Sequence, residues 1–472
     1  MAKRKFQFVE AFINPQTGQP YENTGSPAYI DCGVFGVRLL HQIAKIEFKE
    51  TVVEERTTTG QVNRQTILVE KIGERGGWIE QENNLSQDGE CWVSGNGTVC
   101  GSALVSDDAQ VTGGHLGGSA KLAGKATLSG DASVGETAYI FGNGVVNGGS
   151  RNNTLAVSGR AAVCGQVSEE AKVSGNAYIG EGGSVSGSST VEVKGNARVY
   201  GTVGGSNVTI KGNAIVYGTV NGNSITIGDS AIIQDSGNVG SNSSVFGNAV
   251  VAGSISNNAE VKENARVLSN AQVSNSSNIA GNGVAKGDIN QSTLSENATA
   301  EGGAQRSTLN GNALVTDQGS ATQMEISGNA VVAGRTSQSS MKGNAVVAGT
   351  LSSGSISGNA NVKGISSNSI VSGGIVMGSI TNSTVQDNAT IGGTLSNGAA
   401  SNNGNVGGTM RGTVSGNGNV SGSGSGGAGD NGVFAGSGDY TISGDGVFVE
   451  SPTGDKGRDM DGVSVVCEVQ KT

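Results

Sequence analysis

The stretch Cys91–Thr112, CWVSGNGTVCGSALVSDDAQVT, shows the pattern that decides the fold. Valine recurs at every sixth residue, at Val93, Val99, Val105 and Val111, and a small residue stands two positions before each valine. Residues two apart on a strand point the same way, so the small and aliphatic side chains share a face. Gly and Asn between them tolerate the backbone of a sharp corner. Six-residue sides, three to a coil, predict an all-β chain that forms a triangular parallel β-helix.

The period continues along the chain and then shortens. After a one-residue slip at 113–117, aliphatic residues again recur every sixth position from Leu122 to Val146. Further on, an Asn or a similar turn residue appears once per coil, and these markers predict that the coil shortens from about 18 to about 15 residues. Stacked Asn side chains are expected to hydrogen-bond along the axis. The markers are Asn176, Asn196, Asn213, Asp229, Asn248, Asn264, Asn282, Asn297, Asn312, Asn329, Asn344, Asn359, Gly374, Asn388, Asn403 and Asn417.

Composition excludes several classes of protein. Gly accounts for 81 of 472 residues and aromatic residues for 4%, which argues against an aromatic-rich enzyme core. The net charge of −10 is acidic and evenly spread, so nucleic-acid binding is not expected. No run of apolar residues is long enough for a transmembrane helix, and no signal peptide is visible. The cysteines are odd in number and far apart, which predicts buried thiols and no disulfide framework: Cys32, Cys91, Cys100, Cys164 and Cys467.

The composition changes along the chain predict four regions. Residues 1–85 are richer in charge and proline, and they predict a small α+β or β domain that mounts or caps the rest, with a hairpin over Glu47–Glu70. Residues 86–420 form the β-helix shaft. Residues 421–438 are predicted to be a flexible Gly/Ser-rich connector, and residues 439–472 a small β cap or tip.

The start of the repeats carries a more specific pattern, which we call the junction motif. It comprises Gly76-Gly77-Trp78-Ile79-Glu80, Asn84-Leu85-Ser86-Gln87 and Cys91-Trp92-Val93. It resembles the start of a family of hexapeptide-repeat proteins of enterobacteria and phages, in which a GGW-E…NLSQ…WV segment leads into GNA-V repeats. The resemblance covers residues 75–420 and implies a left-handed parallel β-helix. It also implies that such shafts form homotrimers.

No catalytic, cofactor-binding or metal-binding residues are predicted. Some left-handed β-helices are acyltransferases with a catalytic His, and only His41 and His115 are present here. His115 lies at the slip, where a bulge can re-aim side chains, but an ordinary loop explains it equally. Trp78 and Trp92 are expected to cover the open first coil, because an uncovered sheet edge invites aggregation.

Carboxylates near the C-terminus can ligate calcium, but the loop spacing of a calcium site is absent, so these acidic residues are interpreted as turn residues. These residues are Asp439, Asp445, Asp455, Asp459 and Asp461.

Three functions are compatible with this pattern. The first is a structural or adhesive rod, a phage virion component such as a tail or head fibre. It would contact other virion proteins through residues 1–85 and a host receptor through its C-terminal tip. The second is a hexapeptide-repeat acyl or sugar transferase. The third is a cytoplasmic scaffold or filament-forming solenoid. We expect the first, with no enzymatic activity and no insertion into a membrane.

Overall fold

The structure is a computed structural model, and almost every residue that it describes lies in a strand or a turn. It describes residues 4–12, 26–56, 62–148, 156–187 and 189–315, and short segments between 320 and 449. The helices among them are three-residue 3-10 turns at Val9–Ala11, Gly33–Phe35 and Glu82–Asn84. The all-β prediction is confirmed. The chain divides into two compact units, Met1–Ser241 and Asn242–Thr472.

The N-terminal segment, which we define as the described residues of 4–77, is an antiparallel sheet. Strands β1 (Phe6–Phe8) and β2 (Ala28–Asp31) pair with β3 (Val37–Arg56), and β3 pairs with β4 (Val62–Ile79). The predicted hairpin is therefore present and is longer than expected. Its predicted turn, residues 57–61, lies outside the described residues. Of the two predicted classes, α+β and β, the described part is β.

In the first unit, the strands of the coils pair in parallel with strands one coil further along the chain. In most coils this is the third strand onward, whereas the nine-residue strands Thr202–Ile210 and Thr219–Ile227 each cover two sides. Val93 pairs with Val111 and Val105 pairs with Leu122, so three strands complete these coils. This confirms the three-sided β-helix. The strands are Trp92–Val93, Thr98–Val99, Leu104–Val105, Gln110–Val111, His115–Leu116, Lys121–Leu122, Thr127–Gly130, Ser133–Val134, Tyr139–Ile140, Val145–Gly148, Ala156–Val157, Ala162–Val163, Gln166–Glu169, Ala171–Val173, Tyr178–Ile179, Ser184–Val185, Val191–Val193, Arg198–Val199, Thr202–Ile210, Ile215–Val216, Thr219–Ile227, Ile232–Ile233 and Asn238–Val239.

The second unit repeats this construction, and its coils shorten along the chain: Val261 pairs with Ile279, 18 residues on, and Ile279 pairs with Leu294, 15 residues on. Val332 pairs with Val347, 15 residues on, which confirms the predicted shortening. Its strands are Ser244–Val245, Val250–Val251, Ser254–Ile255, Glu260–Val261, Arg266–Val267, Gln272–Ser274, Asn278–Ile279, Val284–Ala285, Ile289–Asn290, Thr293–Leu294, Thr299–Ala300, Gly303–Gln305, Thr308–Leu309, Leu314–Val315, Ser320–Thr322, Glu325–Ile326, Val331–Val332, Thr336–Ser337, Ser340–Met341, Val346–Val347, Leu351–Ser352, Ser355–Ser357, Asn361–Val362, Ser366–Ser367, Ile370–Ser372, Ile375–Val376, Ile380–Thr381, Thr384–Val385, Thr390–Ile391, Leu395–Ser396, Asn405–Val406, Asn419–Ser421, Gly424–Gly427, Val433–Ala435, Gly438–Thr441 and Val447–Val449.

The interior of the described coils is filled with small and aliphatic side chains. Ala126, Leu128, Ala132 and Val134 have no exposed surface, and the same alternation recurs from coil to coil. Each fully buried Val or Leu side chain contributes about 1.5–3 kcal/mol to the free energy of folding, because its apolar surface is removed from water. The pairing of one small and one branched side chain on each side of the coil leaves a narrow interior, and the described buried side chains between residues 93 and 313 include no aromatic ring.

Asn side chains form ladders along the axis, as predicted. In the first unit, Asn176 donates to Asn196 at 3.0 Å and Asn196 donates to Asn213 at 2.9 Å. In the second unit, five such bonds of 2.9–3.2 Å connect successive coils through Asn248, Asn264, Asn282, Asn297, Asn312 and Asn329. The residue before each of the first three Asn is a left-handed Gly, for example Gly175 with φ 72°. The Gly makes the corner and the Asn ties it to the next coil.

Two predicted boundaries differ from the structure. The first coil begins at Trp78, which pairs with Thr98, and Leu85 bridges to Val105. Strand β4 therefore belongs to both the hairpin and the first coil, and the shaft starts before residue 86.

The predicted connector, residues 421–438, also contains paired strands. Val420 pairs with Phe434, and Val433 pairs with Val447, so the parallel ladder continues past residue 420 into the predicted cap. A ladder needs only backbone hydrogen bonds, which Gly and Ser supply as well as larger residues do. Residues 450–472 lie outside the described residues.

Candidate functional site

The junction motif is where the N-terminal segment meets the first coil. Gly76 and Gly77 lie so close to that coil that neither has room for a side chain. A Cβ at Gly76 would be 2.6 Å from the Val93 carbonyl oxygen, and one at Gly77 would be 2.6 Å from that of Gly97. The two glycines let strand β4 lie directly on the coil.

Asn84, from the same motif, is a fully buried polar residue with all of its side-chain groups bonded. Its amide nitrogen donates to the carbonyls of Gly101 at 3.0 Å and Ala103 at 2.8 Å. Its oxygen accepts from the backbone N–H groups of Glu80 and Gln81 at 3.1 and 2.9 Å. A buried amide that is fully bonded fixes the local backbone, so Asn84 sets the register between the motif and the next coil.

The slip at 113–117 is also explained by the N-terminal segment. The turn Gly33–Phe35 places the Phe35 ring against Gly117 and Gly135, where a Cβ would approach the ring to 2.6 Å. Gly33 lies against the ring of His115, with 3.0 Å between an added Cβ and His115 Cδ2. The segment 113–117 is therefore where the turn Gly33–Phe35 packs against the coils.

His115 is half-buried in the contact between the turn Gly33–Phe35 and the coil. Its Nδ1 is 2.7 Å from the hydroxyl of Thr98. Burial lowers the pKa of His115, while the charges of Asp31 and Asp131 oppose the shift. The structure therefore places His115 inside a contact between two parts of the chain.

His41, the other histidine, lies in a separate place. It is paired with the Glu10 carboxylate and stacks on Phe8 with 4.4 Å between ring centroids. Ser26 donates to the same carboxylate at 2.7 Å. Burial raises the pKa of Glu10, but the hydrogen bonds from His41 and Ser26 outweigh it and the net shift is downward. The pair ties β3 to the chain before β2.

The two tryptophans both lie at the junction, as expected of residues that cover the first coil. Trp92 is buried, and the ammonium of Lys45 lies 5.1 Å from its ring centroid. Trp78 is partly buried and packs against a cluster of Cys32, Leu40 and Cys100. The cluster brings Cys32 and Cys100 together, although they are far apart in the sequence. No feature of the sequence predicts this contact.

The N-terminal segment exposes an apolar patch, which we define as Tyr29, Val34, Val37 and Leu39. These side chains are 78%, 64%, 65% and 42% exposed. Tyr29 and Leu39 are directly opposite on β2 and β3, and Val37 is two residues from Leu39, so these three share the outer face of the hairpin. The inner face carries buried Leu40. Asp31, opposite Val37, is also exposed on the outer face. A group of exposed apolar residues of this kind marks an interaction surface.

A second exposed feature is an aromatic row on one side of the coils of the first unit. Tyr139 stacks on Phe141 with 4.9 Å between centroids, and Tyr200 stacks on Tyr217 with 5.1 Å and contacts Tyr178 at 5.8 Å. Their strands follow one another in a single parallel ladder. Tyr139 and Tyr217 are 40% and 44% exposed. The sequence shows these aromatics but not that they align.

Among the residues that the structure describes, no group of three or more His, Cys, Asp or Glu is placed to hold a metal ion. The acidic residues Asp455, Asp459 and Asp461 lie outside them. In the same described part, no helix has the length and apolarity needed to cross a membrane. Neither a scan against protein-family models nor a search of curated proteins found a match to the chain.

Proposed function

We propose that the chain is a structural fibre protein of a phage virion, with the N-terminal segment as the part that attaches it to other virion proteins. The apolar patch carries this proposal. It is exposed, it lies on a hairpin whose other face is packed on the chain's own coils, and Tyr is enriched at the centres of protein interfaces. An attachment surface needs such a rigid support.

The coils support the same role. Within each of the two units, successive coils are bonded by backbone ladders and, at the Asn corners, by side-chain hydrogen bonds. Such a stack adds length in fixed steps of about 4.8 Å per coil, which suits a spacer between two attachment points. The virion would be its location, and it would be assembled in the host cytoplasm.

The proposed fibre also makes adhesive contacts. The C-terminal tip is the proposed contact with a host receptor. In the described part, the aromatic row offers a further adhesive surface, because flat exposed rings bury large apolar area at little cost in side-chain entropy.

The test uses the full-length chain with two patch residues changed, Tyr29→Ser and Leu39→Ser together. Particles are assembled with this variant, purified, and analysed by mass spectrometry for the amount of chain per particle. We expect at least a tenfold loss of incorporation with normal folding by circular dichroism. The matched control is Tyr139→Ser with Tyr217→Ser, which removes two similarly exposed tyrosines from the coils and should leave incorporation unchanged. Normal incorporation of the patch variant, or loss with the control alone, would contradict the proposed attachment.

A further inference from the structure

Two thiols from distant parts of the sequence meet under the N-terminal segment. Cys32 follows β2 and begins the turn that carries Phe35, and Cys100 follows the coil strand Thr98–Val99. Both are buried, at 0% and 1% exposure, and both pack with Leu40 in one cluster. The pair spans the contact between the N-terminal segment and the coils.

The two sulfurs are chemically different. The Cys32 thiol donates to the carbonyl oxygen of Ile30 at 3.6 Å. Its hydrogen-bonding contact with the Cys100 side chain is the main cause that lowers the pKa of Cys32 to about 7. Burial opposes the shift, and a second bond from the Thr98 hydroxyl assists it. The same contact with Cys32, together with burial, raises the pKa of Cys100. Of the two thiols, Cys32 is therefore the one that loses its proton more readily.

We propose that Cys32 and Cys100 form a redox pair, and that oxidation joins them in a disulfide that ties the N-terminal segment to the coils. A reactive thiolate beside a second thiol is the arrangement of redox-sensitive cysteines, in which the second thiol resolves the oxidised first one. The inference concerns the junction only and does not depend on the proposed attachment to a virion.

The oxidant is a peroxide, which is small enough to reach a buried sulfur beside an exposed turn. The Cys32 thiolate attacks one oxygen of hydrogen peroxide, the O–O bond breaks, and hydroxide leaves, so that Cys32 becomes a sulfenic acid. The Cys100 sulfur then attacks the Cys32 sulfur, the S–O bond breaks, and the second oxygen leaves as water once the proton of Cys100 is transferred. Two thiols and one peroxide give one disulfide and two waters.

The other described cysteines have different neighbours and therefore serve as controls. The Cys91 sulfur is 3.5 Å from the ammonium of Lys5, and burial raises the pKa of its thiol. Cys164 is partly exposed, and its sulfur lies against Gly142 of the preceding coil. If the exposure of the thiol alone decided which of the described cysteines is oxidised, Cys164 would be modified first.

The experiment exposes the folded full-length chain to hydrogen peroxide and then blocks the remaining thiols with an alkylating reagent. Protease digestion without reduction and mass spectrometry identify the products. Because Cys91 and Cys100 lie on one tryptic peptide, the measurement is repeated in a Cys91→Ala chain. We expect a cross-linked peptide pair containing Cys32 and Cys100, with both thiols lost together and both restored by a reducing agent.

Two further variants separate the roles of the thiols. Cys100→Ala removes both the resolving thiol and the main cause of the lowered Cys32 pKa, so it should give no disulfide and slower oxidation of Cys32. Cys32→Ala should leave Cys100 unmodified. Oxidation of the parent chain should raise its melting temperature by several degrees, because the disulfide closes a long loop of the unfolded chain, and Cys164→Ala should melt and respond as the parent does.

If the folded parent chain yields no Cys32–Cys100 peptide, or yields Cys32 sulfinic acid with Cys100 still free, the redox pair is disproved. These readouts need no particle, so failure of this inference and failure of the proposed attachment are distinguishable.

Discussion

The N-terminal segment and the coils are stabilised in opposite ways. The coils repeat a few interactions many times: parallel ladders, paired small and aliphatic residues, and Asn bonds at the corners. The N-terminal segment and the junction motif use single contacts that occur once, such as the Phe35 ring against two glycines, the buried amide of Asn84, and the His41–Glu10 pair. The described core of the N-terminal segment holds Phe6 and Phe12, whereas the described buried side chains of the coils between residues 93 and 313 include no aromatic ring.

The difference teaches where specificity lies in such a molecule. Coils that repeat one another present the same surface many times, so their role is to add length. A segment with unique contacts can present a unique surface, here the apolar patch. The junction motif is needed because an antiparallel hairpin has to be converted into the first side of a parallel coil, and strand β4 does this within one continuous strand.

The largest expected effect comes from the core of the N-terminal segment. Phe12 is 1% exposed and packs with Val9 and Ala44. Phe12→Ala should destabilise the segment by about 3–5 kcal/mol, because it removes a large buried ring and leaves a cavity. Hydrogen exchange should show loss of protection in β1 and β3, while the coils of the second unit keep theirs. Tyr29→Ala, at an exposed aromatic, is the control. Equal loss of protection in both regions would show that the N-terminal segment and the coils are not stabilised separately.

The next effect tests the narrow interior of the coils. Ala214 is fully buried, and Ala214→Leu should cost about 1–3 kcal/mol, because the added methylenes have no space. Thr219→Leu places the same side chain at an exposed position on the next side and should cost less than about 0.5 kcal/mol. Denaturant unfolding measures both. If the two variants unfold at the same denaturant concentration, Ala214 does not face a tight core.

These two variants show how far the sequence predicts the molecule. The position of Ala214 two residues before Val216 is part of the repeat, so the sequence predicts its burial. Phe12 and the contact of Phe35 with Gly117 depend on packing between segments that no periodicity connects. The same holds for Cys32 with Cys100, and for the alignment of Tyr178 with Tyr200, which depends on the lengths of the coils between them. Repetition is readable from one sequence, and single long-range contacts are not.

A smaller effect is expected from the Asn ladder. Asn196 accepts from Asn176 and donates to Asn213, so Asn196→Ala removes two hydrogen bonds at an exposed corner. We expect a cost of about 0.5–1.5 kcal/mol, since a single hydrogen bond contributes about that much and these are solvated. Asn238→Ala, at an exposed Asn on another side of a coil, is the control. A cost no greater than that of the control, by thermal melting, would show that the ladder adds no stability.

The smallest effect is a pH dependence at the junction. Because burial lowers the pKa of His115, the unfolded chain takes up a proton more readily than the folded chain. The contact is therefore unaffected above the ordinary histidine value of about 6.5 and weakens as the pH falls below it. The fluorescence of Trp78 and Trp92 reports on this junction. The denaturant concentration at the midpoint of unfolding, followed by this fluorescence, should be lower at pH 5.5 than at pH 7.5. His115→Gln should flatten that dependence; an equal dependence in this variant would assign it to another group.

The most direct test of the central claim is an electron cryomicroscopy map of an assembled particle that carries the full-length chain. We predict that the outer face of β2 and β3, with Tyr29, Val37 and Leu39, is buried against another protein of the particle, and that the aromatic row faces solvent. A map in which this face is open to solvent while the coils make the attachment would contradict the account.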